Sequence, residues 1–160
     1  MKMSKKTLEV VFDRVLQTAG FTKKTAAWYR QAPGALQLLD IQKSAYRAQF
    51  YVNLCCVPNG MVVEGMPLPK EHKCPIGIRL TAAFSERAKE VEDLLNLENP
   101  IDPIQRSEKL AMILETLALP FFEHMRDAVS LKMAIEKGVF QRGRVNLKAK
   151  VYLKVNEPQQ

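Results

Sequence analysis

Residues 35–57 read ALQLLDIQKSAYRAQFYVNLCCV, and this stretch decides the fold. Apolar side chains occupy every second position of its second half: Ala48, Phe50, Val52, Leu54 and Cys56. A two-residue apolar period places one set of side chains on the buried face of a β-strand. The polar residues 42–47 separate two such segments and form a corner. We therefore expect two antiparallel strands, 35–43 and 47–57, at the centre of a sheet.

Two further strands flank this pair in the sequence. Residues 25–30 are short and aromatic, and the Pro33-Gly34 step after them suits the central positions of a type II turn, so a hairpin should lead into the central pair. Alternating apolar residues predict another strand over 76–81. The intervening residues 61–74 contain one glycine and two prolines, which predicts an irregular loop packed by its own apolar side chains.

Helices are predicted before and after the sheet. Ser4 is a suitable N-cap for a helix over 5–19, and Gly20 can close that helix in the left-handed conformation. Further helices are predicted in the second half of the chain, with starts at Ser85, Asp102, Pro120 and Ser130. The C-terminal half should therefore be largely helical.

The segment 144–155 alternates without exception. Its apolar set is Val145, Leu147, Ala149, Val151, Leu153 and Val155. Its polar set is mostly cationic: Arg144, Asn146, Lys148, Lys150, Tyr152 and Lys154. This period predicts a half-buried strand with a basic outer face, which would join the sheet edge or pair with a second copy of the chain to form a homodimer.

Together these segments predict an α+β fold: a four-stranded antiparallel meander with an N-terminal helix, a helical C-terminal half and a final basic edge strand. The chain has 160 residues, of which 47% are apolar, and this suits a single domain over residues 1–155. Residues 156–160 are polar and predict a disordered tail.

The net charge of +7 is unevenly distributed along the chain. Residues 137–155 carry six basic side chains and no acidic one. Such asymmetry favours an anionic partner, either an acidic protein or nucleic acid, although it also promotes solubility.

Cysteine usage and hydropathy bear on the compartment. Three cysteines, two of them adjacent at Cys55 and Cys56, argue against a disulfide framework and favour a reducing environment. The N-terminus lacks an uninterrupted apolar signal-peptide core, and no run reaches the roughly 20 apolar residues that span a bilayer. We expect a cytoplasmic protein that does not enter a membrane.

Signatures of catalysis are missing from the sequence. It contains no glycine-rich phosphate loop, no Gly-x-Ser-x-Gly elbow and no His-Glu-x-x-His motif. We therefore predict no catalytic residue and no cofactor, and we favour a non-enzymatic role. Metal-ligating atoms occur at His72, Cys74, Cys55 and Cys56, but adjacent strand cysteines point to opposite faces, so no metal site is predicted.

A polar corner is the first candidate for binding. Its residues are Gln42, Lys43, Ser44, Arg47 and Asn53. Gln42, Ser44 and Asn53 can equally serve the turn and nearby backbone groups, whereas Lys43 and Arg47 have no such structural explanation. The basic segment adds a cationic surface with one stacking aromatic: Lys148, Lys150 and Tyr152.

These features support three functional hypotheses. The leading one is an interaction domain of the immunity or antitoxin kind, which binds a macromolecular partner through a sheet face and the basic edge. The second is a nucleic-acid-binding module, because the basic segment resembles a surface that follows phosphates. The third is a small-molecule-binding domain or hydrolase, whose pocket would be lined by Asp40, Glu64 or His72.

Several short motifs resemble a known family. They are a Gly-Phe-x-Lys-Lys step at 20–24, a Gln-Lys-Ser corner at 42–44 and a Phe-x-Val-Asn-Leu strand at 50–54. The chain resembles, over most of residues 5–138, the bacterial "domain of unknown function" family numbered 4304. The resemblance implies an α+β fold and a bacterial source. It implies no activity, so no catalytic residue is carried over from it.

Overall fold

The computed structural model describes residues 3–156, in which one antiparallel sheet is covered on one face by helices. The strands are β1 (Thr22–Lys24), β2 (Ala27–Gln31), β3 (Ala35–Lys43), β4 (Phe50–Pro58), β5 (Ile76–Arg79) and β6 (Arg144–Val145). The α-helices are α1 (Lys5–Thr18), α2 (Leu80–Ala83), α3 (Ala88–Leu95), α4 (Pro103–Ile113), α5 (Leu119–Phe121), α6 (Ala128–Glu136) and α7 (Leu147–Leu153). A π-helical turn joins α4 to α5, and 3₁₀ turns occupy Glu71–Lys73, Ser85–Arg87 and Phe122–Met125.

Strand order in the sheet follows the sequence, β1-β2-β3-β4-β5-β6, with every neighbouring pair antiparallel. The predicted α+β class and the antiparallel meander are confirmed, but the sheet has six strands and not four. Of the two additional strands, β1 has only three residues, too few for a period of two to be recognised. The other, β6, consists of the first two residues of the predicted final edge strand.

The pairing of β3 with β4 runs from Ala35 opposite Pro58 to Lys43 opposite Phe50. This register places the predicted alternating set of β4 on the helix-covered face, where it joins the main hydrophobic core: Phe50, Val52, Leu54 and Cys56. The expectation for the central pair of strands is therefore confirmed.

The N-terminal helix agrees with its prediction. Ser4 Oγ accepts a hydrogen bond from the backbone N–H of Thr7 at 3.2 Å, as an N-cap does. Gly20 has φ +93°, and the N–H of Phe21 then donates to the carbonyl of Leu16 at 2.9 Å. The helix thus ends through the left-handed glycine that the sequence indicated.

Two local predictions in the loops were wrong. Helix α6 is capped by Asp127, whose Oδ1 accepts from the N–H of Ser130 at 2.8 Å, and not by Ser130 itself. Gly34 lacks the positive φ that a type II turn requires. A β-carbon at Gly34 would lie 2.6 Å from Cβ of Asp127, so this glycine permits close packing against the start of α6.

The predicted basic edge strand over 144–155 was also wrong beyond its first two residues. Asn146 Oδ1 accepts from the N–H of Ala149 at 2.8 Å, which starts helix α7, and Lys154 ends it with φ +56°. The N–H of Asn146 donates to the carbonyl of Pro75 at 2.9 Å, and Pro75 has no N–H with which to continue the ladder. A homodimer through an edge strand made of this segment is therefore not available.

Of the tail predicted over 156–160, residues 157–160 lie outside the described residues, and Asn156 donates its N–H to Glu136 Oε2 at 2.8 Å. Within residues 3–156, no helix has the length and apolar character required to cross a bilayer.

Candidate ligand-binding groove

The sheet face that points away from the helices is divided into an apolar part and a polar part. The apolar part is a second, smaller core beneath the loop 61–74: Ala27, Leu38, Cys55, Val57 and Cys74. The polar part begins one row further along the strands. We call it the polar row: strand register aligns Lys24, Ala27, Asp40, Asn53 and Arg79 across five strands, and Ala27, its one nonpolar member, also belongs to the apolar part.

Asp40 lies at the centre of the polar row. Its Oδ1 accepts a hydrogen bond from Asn53 Nδ2 at 2.9 Å, and the same amide donates to Gln42 Oε1 at 3.1 Å. Arg79 Nη2 also donates to Gln42 Oε1 at 3.1 Å, and the Arg79 guanidinium stacks 4.1 Å from the centre of the Tyr51 ring. No described residue donates to the other oxygen of Asp40, Oδ2.

The protonation of Asp40 differs from that of an exposed aspartate. Burial is the largest cause and raises its pKa to about 6, with a smaller upward contribution from the negative charge of Glu71. The hydrogen bond from Asn53 and the positive charges of Arg79 and His72 act in the opposite direction. Asp40 is therefore a carboxyl group that changes charge close to neutral pH.

The loop 61–74 forms the roof of a groove over this part of the sheet. Tyr29 Oη donates to the carbonyl of Pro69 at 2.9 Å, which fixes the middle of the loop. Arg144 fixes its end, with Nε donating to the carbonyl of Cys74 at 3.1 Å and Nη2 donating to the carbonyl of Glu71 at 2.8 Å. The Glu71 carboxylate also pairs with this guanidinium at 3.3 Å.

Gly77 explains how Arg144 reaches the loop. A β-carbon at this position would lie 3.1 Å from Arg144 Nη2 and 3.1 Å from Cys55 Sγ. Both neighbours are themselves held in place, since the guanidinium is hydrogen-bonded and the thiol is buried. Because Gly77 has no side chain, the Arg144 guanidinium can lie directly over this position of β5 and reach the loop.

A cavity of about 770 Å³ opens between this roof and the polar row. Its charged and polar lining includes Lys24, Asp40, Gln42, Lys70, Glu71 and His72. Its apolar lining includes Leu68 and Ala27, and Ala27, which is opposite Asp40, has a side chain of a single methyl group. The groove thus combines a carboxyl floor, lysines from two sides and a small apolar surface.

Two residues of the predicted corner patch belong to this network, and three do not. Gln42 lines the groove, and Asn53 orients Asp40. Ser44 shapes the corner, because its N–H donates to the carbonyl of Gln49 at 2.8 Å and its Oγ accepts from the N–H of Tyr46 at 3.3 Å.

The remaining corner cations, Lys43 and Arg47, are exposed and form no ion pair within residues 3–156. Tyr46 between them is 97% exposed. The corner therefore presents an aromatic ring flanked by two cations to solvent.

The basic C-terminal residues lie far from the corner. Tyr152 Oη donates to the carbonyl of Asn59 at 2.6 Å, just beyond the C-terminal end of β4, whereas Lys43 pairs with Phe50 at the other end. The nine residues of β4 separate these points by roughly 26 Å. Lys148, Lys150 and Tyr152, all on α7, thus do not converge with the corner patch.

The pocket residues proposed for the small-molecule hypothesis are partly brought together. Asp40 and His72 line the same groove, whereas Glu64 is exposed and pairs with Lys73 at 2.9 Å outside its lining. Cys55 and Cys56 point to opposite faces, and all three cysteines are unpaired and buried. Within the part of the chain that the structure describes, no group of three or more His, Cys, Asp or Glu residues could hold a metal ion.

Sequence reasoning missed most of the groove wall: Lys24, Ala27, Lys70, Glu71 and Arg144. Their positions depend on strand register and on the course of an irregular loop, which short-range periodicity does not report. One available signal of the groove was the pair of polar residues Asp40 and Gln42, which are two positions apart in a mostly apolar strand and so lie on the same face.

The comparison with protein families decides what the chain is related to. Residues 12–124 match the family model described as a domain of unknown function, DUF4304, which covers more than half of the chain. The chain belongs to the DUF4304 family. No curated protein and no solved structure matches it. In this DUF4304 protein the matched residues include the polar row and the loop 61–74, but not Arg144.

The roof of this DUF4304 groove should depend on Arg144. Replacement by methionine keeps the apolar length of the side chain but removes its bonds to Glu71 and Cys74, so the unfolding free energy should fall by about 1–3 kcal/mol. Amide hydrogen exchange of the loop 61–74 should accelerate more than that of β3. Arg142→Met, an exposed neighbour with no hydrogen bond or ion pair in the described residues, is the control. Equal exchange in both variants would contradict the assigned role.

The raised pKa of Asp40 predicts the direction of a pH effect on stability. A carboxyl group that binds its proton more tightly in the folded state stabilises the fold at low pH, and this stabilisation is lost as pH rises from about 4 through 6. Asp40→Asn should therefore become progressively more stable relative to the wild type over that range, as measured by urea unfolding at several pH values. Glu64→Gln should not show this trend, because its ion pair with Lys73 lowers the pKa of Glu64. A difference in unfolding free energy between Asp40→Asn and the wild type that stays constant with pH would show that the pKa of Asp40 is not raised.

Proposed function

We propose that this protein binds a small polar ligand in the groove between the polar row and the loop 61–74. The observation that carries the proposal is Asp40, a partly buried carboxyl group with one oxygen held by Asn53 and the other without a donor among residues 3–156. This second oxygen is not buried, so a ligand in the groove can reach it and donate a hydrogen bond to it.

The dimensions and chemistry of the groove support a ligand of small-molecule size. Its volume of about 770 Å³ is within the range of known ligand pockets, roughly 300–1,000 Å³. Polar groups converge on it from the sheet and the roof, and Leu68 and Ala27 supply apolar contact. This combination of a few oriented polar groups with apolar surface is typical of sites that recognise one molecule.

Asp40 favours a ligand that carries a hydrogen-bond donor, and a protonated amine best. The ionised carboxylate only accepts hydrogen bonds, and Asn53 holds it in one orientation. A charged donor would offset the cost of burying the carboxylate, which a neutral donor does less well. We place binding before catalysis because Glu71, the second carboxylate of the groove, is already paired with Arg144.

An amine titration tests this proposal. Binding of n-butylamine should perturb the NMR amide signals of Asp40, Ala27 and Lys70 at about pH 7.5, where Asp40 is ionised and the amine protonated. Asp40→Asn should weaken this binding at least tenfold, because the charged hydrogen bond is worth about 1.5–3 kcal/mol. Glu64→Gln, which removes an exposed carboxylate outside the groove, should leave it unchanged. Signal changes that survive in Asp40→Asn would refute the site.

A second function is favoured by the exposed corner. Tyr46 is 97% exposed between Lys43 and Arg47, which have no ion pair with any described residue, and this combination of aromatic and basic residues suits the centre of a protein interface. We propose that this corner docks an acidic protein, in keeping with an interaction domain of the bacterial immunity or antitoxin kind. Three unpaired, buried thiols support a reducing, cytoplasmic setting. The nucleic-acid alternative loses its main support, since the cationic strand on which it depended is the helix α7.

Charge reversal tests the corner. The double variant Lys43→Glu, Arg47→Glu should lose at least about tenfold of any acidic protein that the wild type retains from a bacterial lysate at low ionic strength. The matched control reverses two exposed cations on α1, Lys6→Glu and Arg14→Glu, and changes the net charge equally. Equal loss in both double variants would assign retention to overall charge and contradict a docking role for the corner.

A further inference from the structure

The groove holds cations as well as the Asp40 carboxyl group. Lys24 enters from β1 and Lys70 from the roof, and both line the same cavity as Asp40. Neither lysine forms an ion pair within residues 3–156. Other lysines near this end of the molecule do have acidic partners, since Lys23 pairs with Glu9 at 3.1 Å and Lys73 with Glu64 at 2.9 Å.

Strand register fixes the spacing between the opposite charges. Lys24 is opposite Ala27, and Ala27 is opposite Asp40, so Lys24 and Asp40 lie two strands apart on the same face. Two inter-strand spacings place their α-carbons about 10 Å apart. Ala27 is the residue between them in the polar row, and its side chain is a single methyl group.

The roof completes this arrangement. Leu68 supplies an apolar wall, and Lys70 adds a second cation from the loop. Glu71 does not neutralise these lysines, because its carboxylate is engaged by Arg144 at 3.3 Å. The groove therefore combines an acceptor at Asp40, apolar contact from Ala27 and Leu68, and cations from Lys24 and Lys70.

We propose that the ligand is zwitterionic, with an amine that binds Asp40 and a carboxylate that binds Lys24 and Lys70 across a short apolar chain. This inference rests on the proposed groove and specifies its ligand. Both a free amino acid with a terminal amine and a short peptide have this chemistry. The amine of such a ligand pairs with the Asp40 carboxylate, its carboxylate pairs with the two lysines, and its apolar chain lies over Ala27 and against Leu68.

A matched series of compounds separates the two ends of the ligand. Isothermal titration or NMR should show that 4-aminobutyrate or 6-aminohexanoate binds at least fivefold more tightly than n-butylamine, since one added ion pair at a partly exposed site contributes about 1 kcal/mol. Butyrate, which has only the anionic end, should bind more weakly than either. Glycylglycine distinguishes a peptide source, because it has the same two charges but a polar amide in place of the apolar chain.

Variants assign each end to its residue. Lys24→Met should reduce the ratio of amino-acid affinity to n-butylamine affinity, and Lys24→Met combined with Lys70→Met should bring that ratio to about one. Lys43→Met, an exposed lysine that does not line the groove, is the control. Amino acids that bind no more tightly than butylamine, or a Lys24→Met variant that weakens both equally, would overturn the zwitterion while leaving the groove in place. Absence of binding by every amine in the series would overturn the groove itself.

Discussion

The antiparallel register of β3 and β4 is the constraint on which the rest of the structure depends. It places Leu39, Ile41, Val52 and Leu54 against the helices and, by the same geometry, Asp40 opposite Asn53 on the other face. A slip of one residue would exchange the two faces, burying a carboxylate in the main core. The energy of apolar burial on one face therefore determines the positions of the polar groups on the other.

Local patterns were sufficient to predict most of the scaffold. Alternation identified β3 to β5, a short aromatic segment before a Pro-Gly step identified β2, and Ser4 with Gly20 gave both ends of α1, because caps and periods act within a few residues. The same local reasoning placed Gln42 and Asn53 in a polar corner and Asp40 among possible pocket residues. It could not bring them together with Lys24 or Lys70, since those contacts depend on pairing across strands and on an irregular loop.

The C-terminal segment shows how a local pattern can mislead. Its perfect alternation indicates a strand, yet only Ala149 and Leu153 are buried, four residues apart on one side of α7, while Leu147 and Val151 are 75% and 69% exposed. A strand needs a partner with free backbone groups, and β5 offers only Ile76 and Gly77 before Pro75 ends the ladder. The backbone groups after Asn146 form their hydrogen bonds within helix α7 instead, and the Asn146 side chain caps the start of that helix. Tertiary context thus overrode the two-residue period.

Asp40 is the residue whose presence the fold itself does not explain. Along both β3 and β4 the neighbouring row of this face is apolar, with Leu38 opposite Cys55, and an apolar pair at 40 and 53 would extend that core without the cost of a desolvated carboxyl group. Burial raises the pKa of Asp40 to about 6, so the folded protein holds this group at a cost when it is ionised. The sheet also orients it through Asn53 and leaves space over Ala27. A group that is costly, oriented and accessible has the properties expected of the ligand-binding residue that we propose.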